Sequence, residues 1–210
     1  MFTAVSLQYL AMGAFFGLTA GISPGPLLSL VITETLRHNW KEGLKIALSP
    51  LITDLPIILI SSVILSEVSQ HNQIMAAISL LGGIYFTCLG YETLKSREPG
   101  LNLQEKKPES LKKGIIANFL NPNPYIFWFT AGIPYALKAY ESSLFTVVLY
   151  FVLFYLMLTG SKIIVAILTE RSKAFIRGNI FRITMIILGM VLLSFAGYFF
   201  YEGIRIFAAG

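Results

Sequence analysis

Long apolar runs separated by short polar stretches dominate the chain. A transmembrane helix needs about 20 predominantly apolar residues, and the pattern contains six runs of this kind: residues 1–33, 43–65, 73–91, 114–137, 142–169 and 183–201. Charged residues interrupt only two of the runs, Lys45 and Asp54 in the second and Lys162 in the fifth. The first run lacks the basic leading region of a secretory signal, so we predict that it is a retained helix. The pattern predicts an all-α polytopic membrane protein with six transmembrane helices.

One long polar connection divides these helices into two sets of three. Residues 95–113 mix charges with Pro99, Gly100, Pro108 and Ser110, a composition typical of a solvated loop. We therefore predict a first three-helix repeat at residues 1–94 and a second at residues 114–210. Because each set has an odd number of spans, the two sets enter the membrane from opposite faces, as in the inverted repeats of secondary transporters.

The basic residues are concentrated on one side of the predicted membrane. The first, third and fifth connections carry Arg37, Lys41, Lys45, Lys95, Arg97, Lys106, Lys107, Lys112, Lys113, Arg171, Lys173, Arg177 and Arg182. The other side carries Lys138 and Arg205. Cytoplasmic loops are the ones enriched in Lys and Arg, so we expect the long loop in the cytoplasm and both termini outside. This asymmetry explains the net charge of +5 without a nucleic-acid partner.

Composition excludes several classes of protein. The chain is 55% hydrophobic and 13% charged, with a mean hydropathy of +0.71, which lies outside the range of soluble globular proteins. A single cysteine, Cys88, rules out an intramolecular disulfide and a dithiol redox pair. His38 and His71 fall on opposite sides of the membrane and cannot share a metal ion. Nucleophile and cofactor motifs are missing as well, so we expect no cofactor and no enzymatic activity.

Two proline clusters occupy matching positions in the first and fourth spans. The first reads Ser23-Pro24-Gly25-Pro26, and the second reads Asn121-Pro122-Asn123-Pro124, preceded by Asn118. Proline has no N–H donor and clashes with the preceding turn, so each cluster is expected to stop the helix. Ser23 before Pro24, and Asn121 before Pro122 or Asn123 before Pro124, have the form of an N-cap with proline at the first helical position. We predict a new helix start at each break.

These helix starts are candidate binding sites for an anion. Counted inward at about 1.5 Å per residue, Pro24 lies roughly 13 Å and Pro122 roughly 15 Å from the cytoplasmic ends of their spans, near the middle of a core about 30 Å thick. A helix start exposes unpaired N–H groups and partial positive charge, which suit a carboxylate. Proline kinks that only shape packing are the alternative reading.

Two charged residues lie inside predicted spans. Asp54 near the middle of the second span costs at least about 2.5 kcal/mol to insert, so we expect it to bind a substrate ammonium group, exchange a proton, or do both in turn. Lys162 is expected to act as a carboxylate partner or counter-charge. Structural roles remain open for both residues, such as an Asp54–Lys162 pair, and Lys162 could also snorkel toward the interface.

Other residues near the breaks have packing as their simplest reading. Gly13, Gly17 and Gly21 recur every fourth residue and predict a smooth face for a closely packed helix. Tyr125 and Trp128 follow the second break and could line the same cavity, and we include Tyr125 in the predicted site. The predicted substrate-binding residues are Ser23, Pro24, Gly25, Pro26, Asp54, Asn118, Asn121, Pro122, Asn123, Pro124, Tyr125 and Lys162.

The motifs together resemble the LysE/RhtB family of amino-acid exporters. The resemblance rests on the Pro-Gly-Pro break, on Gly43, Ala47 and Ser49 ahead of Asp54, and on Asn121-Pro122 followed by Phe127-Trp128, and it extends over the six-span layout. It implies export of amino acids or related small metabolites across the cytoplasmic membrane, driven by the proton motive force. The implied partners are a small-molecule substrate, protons and membrane lipids, with a homo-oligomer also compatible.

Three alternatives stay open at this point. A membrane enzyme could use Asp54 and Lys162 as an acid–base pair on a lipid or isoprenoid substrate. A cation exporter could hold a hard cation between one carboxylate and backbone carbonyls. A structural subunit that transports nothing fits the topology too, although it leaves Asp54 and the paired breaks without a function.

Overall fold

A computed structural model describes residues 4–66, 72–95, 108–176 and 178–209. Within these ranges the chain is helical and contains no β-strand. Most of the predicted cytoplasmic loop, residues 96–107, lies outside the described residues, as do Met1, His71 and Arg177.

Among the described residues, the first half of the chain forms five helices and the second half forms five more with one π-helical segment. The helices are α1 (Ala4–Ile22), α2 (Pro26–Arg37), α3 (Trp40–Ala47), α4 (Ser49–Ser66), α5 (Asn72–Leu94), α6 (Ser110–Phe119), α7 (Pro122–Phe127), α8 (Ile133–Ser142), α9 (Leu144–Ser172) and α10 (Asn179–Ala209). The π-helical segment, Trp128–Gly132, connects α7 to α8. Pro134 follows this segment and has no N–H for the carbonyl four residues before it, which favours a locally widened helix.

Among the described residues, four stretches are long and apolar enough to cross a membrane as single helical spans: Trp40–Ser62, Ala76–Leu94, Leu144–Ser172 and Asn179–Ala208. A fifth span arises if α1 and α2 count together, because the two helices meet at an angle of 56°. The predicted fourth span, residues 114–137, is divided among α6, α7, the π-helical segment and α8, so no single helix there has the required length. The fold is therefore that of a multi-pass membrane protein, and the sixth span stays a prediction.

Helix packing crosses between the two halves of the chain. The long helices α5 and α10 pack against each other, α1 packs along α9, and α4 packs against α6 and α7. Close approach of α1 to α9 depends on the predicted glycine face. A Cβ atom on Gly17 would overlap the Phe154 carbonyl of α9, and one on Gly13 would lie 2.7 Å from the Tyr150 carbonyl oxygen. The predicted packing role of these glycines is confirmed.

Both helix breaks are present, but the first begins its new helix later than predicted. The prediction placed Ser23 at the N-cap and Pro24 at the first helical position. In the structure Gly25 is the N-cap, with φ −166° and ψ 175°, and Pro26 begins α2. A residue before proline is disfavoured in the α region, so Gly25 stays extended and a helix cannot continue from Pro24. The predicted Ser23 cap was therefore wrong.

The second break begins its helix at the first of the two predicted positions. Asn121 is the N-cap of α7, and its side-chain oxygen accepts a hydrogen bond from the N–H of Asn123 at 3.0 Å. Pro122 occupies the first helical position, where its missing N–H costs nothing.

Candidate functional site

A cavity of about 200 Å³ lies between the two breaks. It is smaller than the roughly 300–1,000 Å³ typical of sites for drug-sized ligands, so it suits a small metabolite. Its lining comes from both halves of the chain: Ala20, Ser23, Pro24, Gly25, Pro26, Leu27, Leu28, Pro50, Asp54, Asn118, Asn121, Asn123, Pro124, Phe127, Trp128, Phe154, Leu158 and Lys162. Ser23, Pro24 and Asn123 are exposed and mark where the cavity reaches the protein surface.

Asp54 of α4 is held in the cavity wall by two neutral side chains from the second half. Its carboxylate accepts a hydrogen bond from the Asn118 amide at 3.0 Å and one from the Tyr155 hydroxyl at 3.3 Å. The same amide nitrogen donates to the Thr53 hydroxyl at 2.6 Å. Asp54 is only 3% exposed. Hydrogen bonds from neutral donors favour the carboxylate form without supplying a counter-charge.

Lys162 of α9 binds the end of the broken first helix. Its ammonium group donates hydrogen bonds of 2.9 Å to the carbonyl oxygens of Ala20 and Gly21, in the last turn of α1. These carbonyls lie at the negative end of the helix dipole, where a cation is stabilising. Lys162 is also 3% exposed. Asp54 and Lys162 line the same cavity, but no ion pair joins them in the described chain, so the structural pair that was left open as an alternative is absent.

The first break leaves backbone donors open toward the cavity. Pro26 has no N–H, and the N–H groups of Gly25, Leu27 and Leu28 form no hydrogen bond within the described residues. The first main-chain bond of α2 runs from the Ser29 N–H to the Gly25 carbonyl at 3.0 Å. All three donor residues line the cavity. This end of α2 therefore has the character expected of an anion site.

The second break has no such donors in the cavity wall. Pro124 has no N–H, and the N–H of Asn123 is bonded to the Asn121 side chain. The expectation that both helix starts present free donors to one carboxylate therefore does not match the geometry. The proline that stops the helix and the asparagine that caps it leave α7 without an open N-terminal donor at the cavity.

Ten of the twelve predicted site residues line the cavity, and Pro122 and Tyr125 do not. Tyr125 is 4% exposed and donates its hydroxyl to the Phe119 carbonyl at 3.1 Å, a contact that supports the loop between α6 and α7. Sequence reasoning missed Tyr155, whose bond to Asp54 spans 101 positions of sequence. No local pattern connects two residues so far apart.

Aromatic rings close one flank of the cavity. Phe127 and Phe154 stack with centroids 5.5 Å apart, and Trp128 meets Phe154 edge-on at 5.1 Å. Phe16 of α1 packs its edge on Phe127 at 5.7 Å. In the sequence, the position of Trp128 soon after the second break was the feature that indicated an aromatic wall.

A partly buried ionic cluster joins α2, α5 and α6 away from the cavity. Glu34 is 1% exposed and accepts hydrogen bonds from Ser110 at 2.8 Å and from Lys113 at 3.1 Å. Glu92 accepts from Arg37 at 2.7 Å and from Lys113 at 2.8 Å. The two carboxylates and two cations balance in charge. We call these residues, with Ser110, the ionic cluster.

The ionic cluster lies at the opposite ends of the two helices that border the breaks. Along α2, Arg37 is eleven residues from Pro26, or roughly 16 Å at helical rise. Along α6, Ser110 is eight residues from Asn118, or roughly 12 Å. Sequence reasoning missed the cluster because its members come from three separate parts of the chain. In its own segment, each charged member resembles an ordinary charge at the membrane interface.

The fold defines the class of this protein as a multi-pass membrane protein, with a cavity between two discontinuous helices. Comparison with protein families gives the more specific assignment. The LysE type translocator family matches residues 18–203, and the chain belongs to this family. No curated protein and no solved structure gave a match. The resemblance drawn from the break motifs is confirmed, and the family implies a small-molecule substrate.

Proposed function

We propose that this protein is a secondary transporter that exports amino acids or related small metabolites across the cytoplasmic membrane, driven by the proton motive force. The observation that carries this proposal is the presence of two buried, oppositely charged side chains, Asp54 and Lys162, in one cavity between two broken helices. Buried charges in a membrane protein are costly and mark substrate or ion pathways.

An amino acid has an ammonium group and a carboxylate, which complement the charges of Asp54 and Lys162. Its carboxylate binds the open N–H groups of α2 beside Lys162, and its ammonium group binds Asp54. When the substrate leaves, a proton on Asp54 replaces the ammonium group and removes the uncompensated buried charge. Alternation between the two occupants gives proton-coupled antiport.

The topology proposed for this activity has six spans in two inverted halves. Its support is the reciprocal packing of the halves: α1 of the first lies on α9 of the second, whereas α4 of the first lies on α6 and α7 of the second. The third helices, α5 and α10, pack on each other. A two-fold axis in the membrane plane accounts for this exchange of partners.

Alternating access requires one end of the cavity to open as the other closes. In this proposal the ionic cluster holds the cytoplasmic ends of α2 and α6 together, and the aromatic wall covers the outer flank. Release of Glu34 and Glu92 from Lys113 would separate the two helices at that end. A substrate shifts this equilibrium only by its difference in affinity between the two states.

The test is transport in proteoliposomes with labelled amino acids, under counterflow and under an imposed pH gradient. Asp54→Asn keeps the shape of the side chain and removes its charge, and we expect it to lose at least about 10-fold in flux together with the response to the gradient. Glu109→Gln is the matched control, because Glu109 is an exposed carboxylate outside the cavity. Full activity of folded Asp54→Asn, or no amino-acid flux in folded wild-type protein, contradicts the proposal.

A further inference from the structure

The cavity carries a balanced pair of charges. Among the described residues that line it, Asp54 supplies the one carboxylate and Lys162 the one ammonium group. They come from different helices, α4 and α9, and from different halves of the chain. The site therefore has one negative and one positive pole and no net charge.

Among the described residues, neither pole is joined to a charged neighbour by an ion pair. Asp54 is bonded to the neutral groups of Asn118 and Tyr155, and Lys162 is bonded to two main-chain carbonyls. In a low-dielectric site an unpaired charge is costly. A ligand with one cationic and one anionic group compensates both poles, and a ligand with a third charge leaves one charge without a partner.

The backbone at the breaks fixes the direction of such a ligand. Open N–H groups of Leu27 and Leu28 lie at the first break, where Lys162 also binds, and the second break has its donor capped by Asn121. The anionic group therefore lies at the first break. The cationic group lies toward Asp54.

Among the described residues, the rest of the wall carries no third charge. Its apolar part is formed by Leu158 and Phe154 of α9 and by Phe127 and Trp128 around α7, and its neutral polar part by Ser23, Asn121 and Asn123. Aromatic faces can attract a cation, but Phe127 and Phe154 stack on each other with an interplanar angle of 11°, and Trp128 packs its edge against Phe154. The stacking covers one face of the Phe127 ring and one face of the Phe154 ring.

We infer that the cavity selects α-amino acids with uncharged, mainly apolar side chains over basic and acidic ones. This inference rests on the proposed transport of amino acids through the same cavity. Selectivity arises because Asp54 and Lys162 are both used by the α-ammonium and α-carboxylate groups, which leaves a side-chain charge against Phe127, Phe154 and Leu158.

The first experiment compares pairs of ligands that differ in one charge. Unlabelled norleucine and lysine share the same carbon chain, and glutamine and glutamate share the same length, so each pair isolates the side-chain charge in competition against labelled leucine. In wild-type proteoliposomes we expect norleucine to compete at least about 10-fold better than lysine, and glutamine about 10-fold better than glutamate. Equal or better competition by lysine or glutamate overturns the inference while leaving amino-acid transport intact.

Two charge-neutralising variants test which residue sets each preference. Lys162→Gln leaves the cavity one negative charge in excess, so the lysine-to-norleucine competition ratio should rise about 10-fold; Asp54→Asn should raise the glutamate-to-glutamine ratio in residual substrate binding similarly. A general loss of folding or affinity lowers both members of a pair and does not move these ratios. Unchanged ratios in variants that still bind ligand contradict the assignment.

The competition experiment on the wild-type protein also distinguishes a failure of the proposed function from a failure of this inference alone. Failure of every amino acid to exchange in folded protein removes the proposed function and this inference together. Exchange of amino acids without discrimination by charge removes only the inference.

Discussion

Asp54 and Lys162 each bind the broken helix of the other half of the chain. Asp54 accepts a hydrogen bond from Asn118 in the last turn of α6, and Lys162 donates to the Ala20 and Gly21 carbonyls in the last turn of α1. Each broken helix is thus held immediately before its break by a charge from the opposite half. A ligand that binds both charges acts on both breaks at once, which is a physical route from binding to a change in helix positions.

The ammonium group of Lys162 should contribute to stability as well as to binding. Lys162→Met keeps a similar chain length but leaves the Ala20 and Gly21 carbonyls without their donor, which costs about 1–3 kcal/mol for each buried acceptor. We expect a clear drop in the melting temperature of the detergent-solubilised protein. The melting temperature is measured by size-exclusion chromatography after heating.

Lys112→Met is the matched control for this change, because Lys112 is two-thirds exposed and, among the described residues, pairs with exposed Glu109. Exposed pairs of this kind contribute about 0–1 kcal/mol. If the two variants melted at the same temperature, the hydrogen bonds from Lys162 to α1 would make no contribution to stability.

The two predicted cap residues should differ in their effect on stability. Asn121 accepts a bond from the Asn123 N–H, so Asn121→Ala is expected to cost about 1 kcal/mol. Ser23 caps nothing, because Gly25 is the N-cap of α2, and Ser23→Ala should leave the melting temperature unchanged. A loss of stability in Ser23→Ala equal to that in Asn121→Ala would restore Ser23 as a cap.

The contact between α1 and α9 should not tolerate a methyl group at Gly17. An added Cβ overlaps the main chain of Phe154, which cannot move as a flexible side-chain end could, so Gly17→Ala should separate the two helices and destabilise the protein. Gly160→Ala provides the control within the same helix pair, since a Cβ there meets no atom within 4 Å. That control should be neutral or stabilising by about 0.5–1 kcal/mol. Comparable stability of the two variants argues against the close packing.

Loss of the Glu34 charge should loosen the ends of α2 and α6. Hydrogen bonds to charged groups contribute about 1.5–3 kcal/mol each, and Glu34→Gln weakens those from Ser110 and Lys113. We expect faster hydrogen–deuterium exchange at residues 30–37 and 110–116, with Glu109→Gln as the exposed control. Exchange rates equal to wild type in both segments would show that the ionic cluster does not hold this end closed.

Local chemistry in the sequence was sufficient for the membrane class and the two helix breaks, and the motifs at the breaks carried the resemblance to the family. Apolar runs of bilayer length leave few alternatives to membrane helices, and proline clusters stop a helix wherever they occur. Asp54 and Lys162 stood out because charge is rare within such runs. The Asn121 cap and the glycine face of α1 were also predictable, since both depend on residues close together in the sequence.

Tertiary structure decided which groups meet and which donors stay open. Tyr155 reaches Asp54, Lys162 reaches α1 rather than Asp54, and the ionic cluster draws on three helices; each contact depends on how the two halves pack, which no local pattern encodes. Even the two proline breaks, which are alike in sequence, differ in which backbone N–H groups they leave open. At the first, the extended Gly25 leaves N–H groups open to the cavity. At the second, the Asn121 cap and the missing N–H of Pro124 leave no donor open among the described residues that line the cavity.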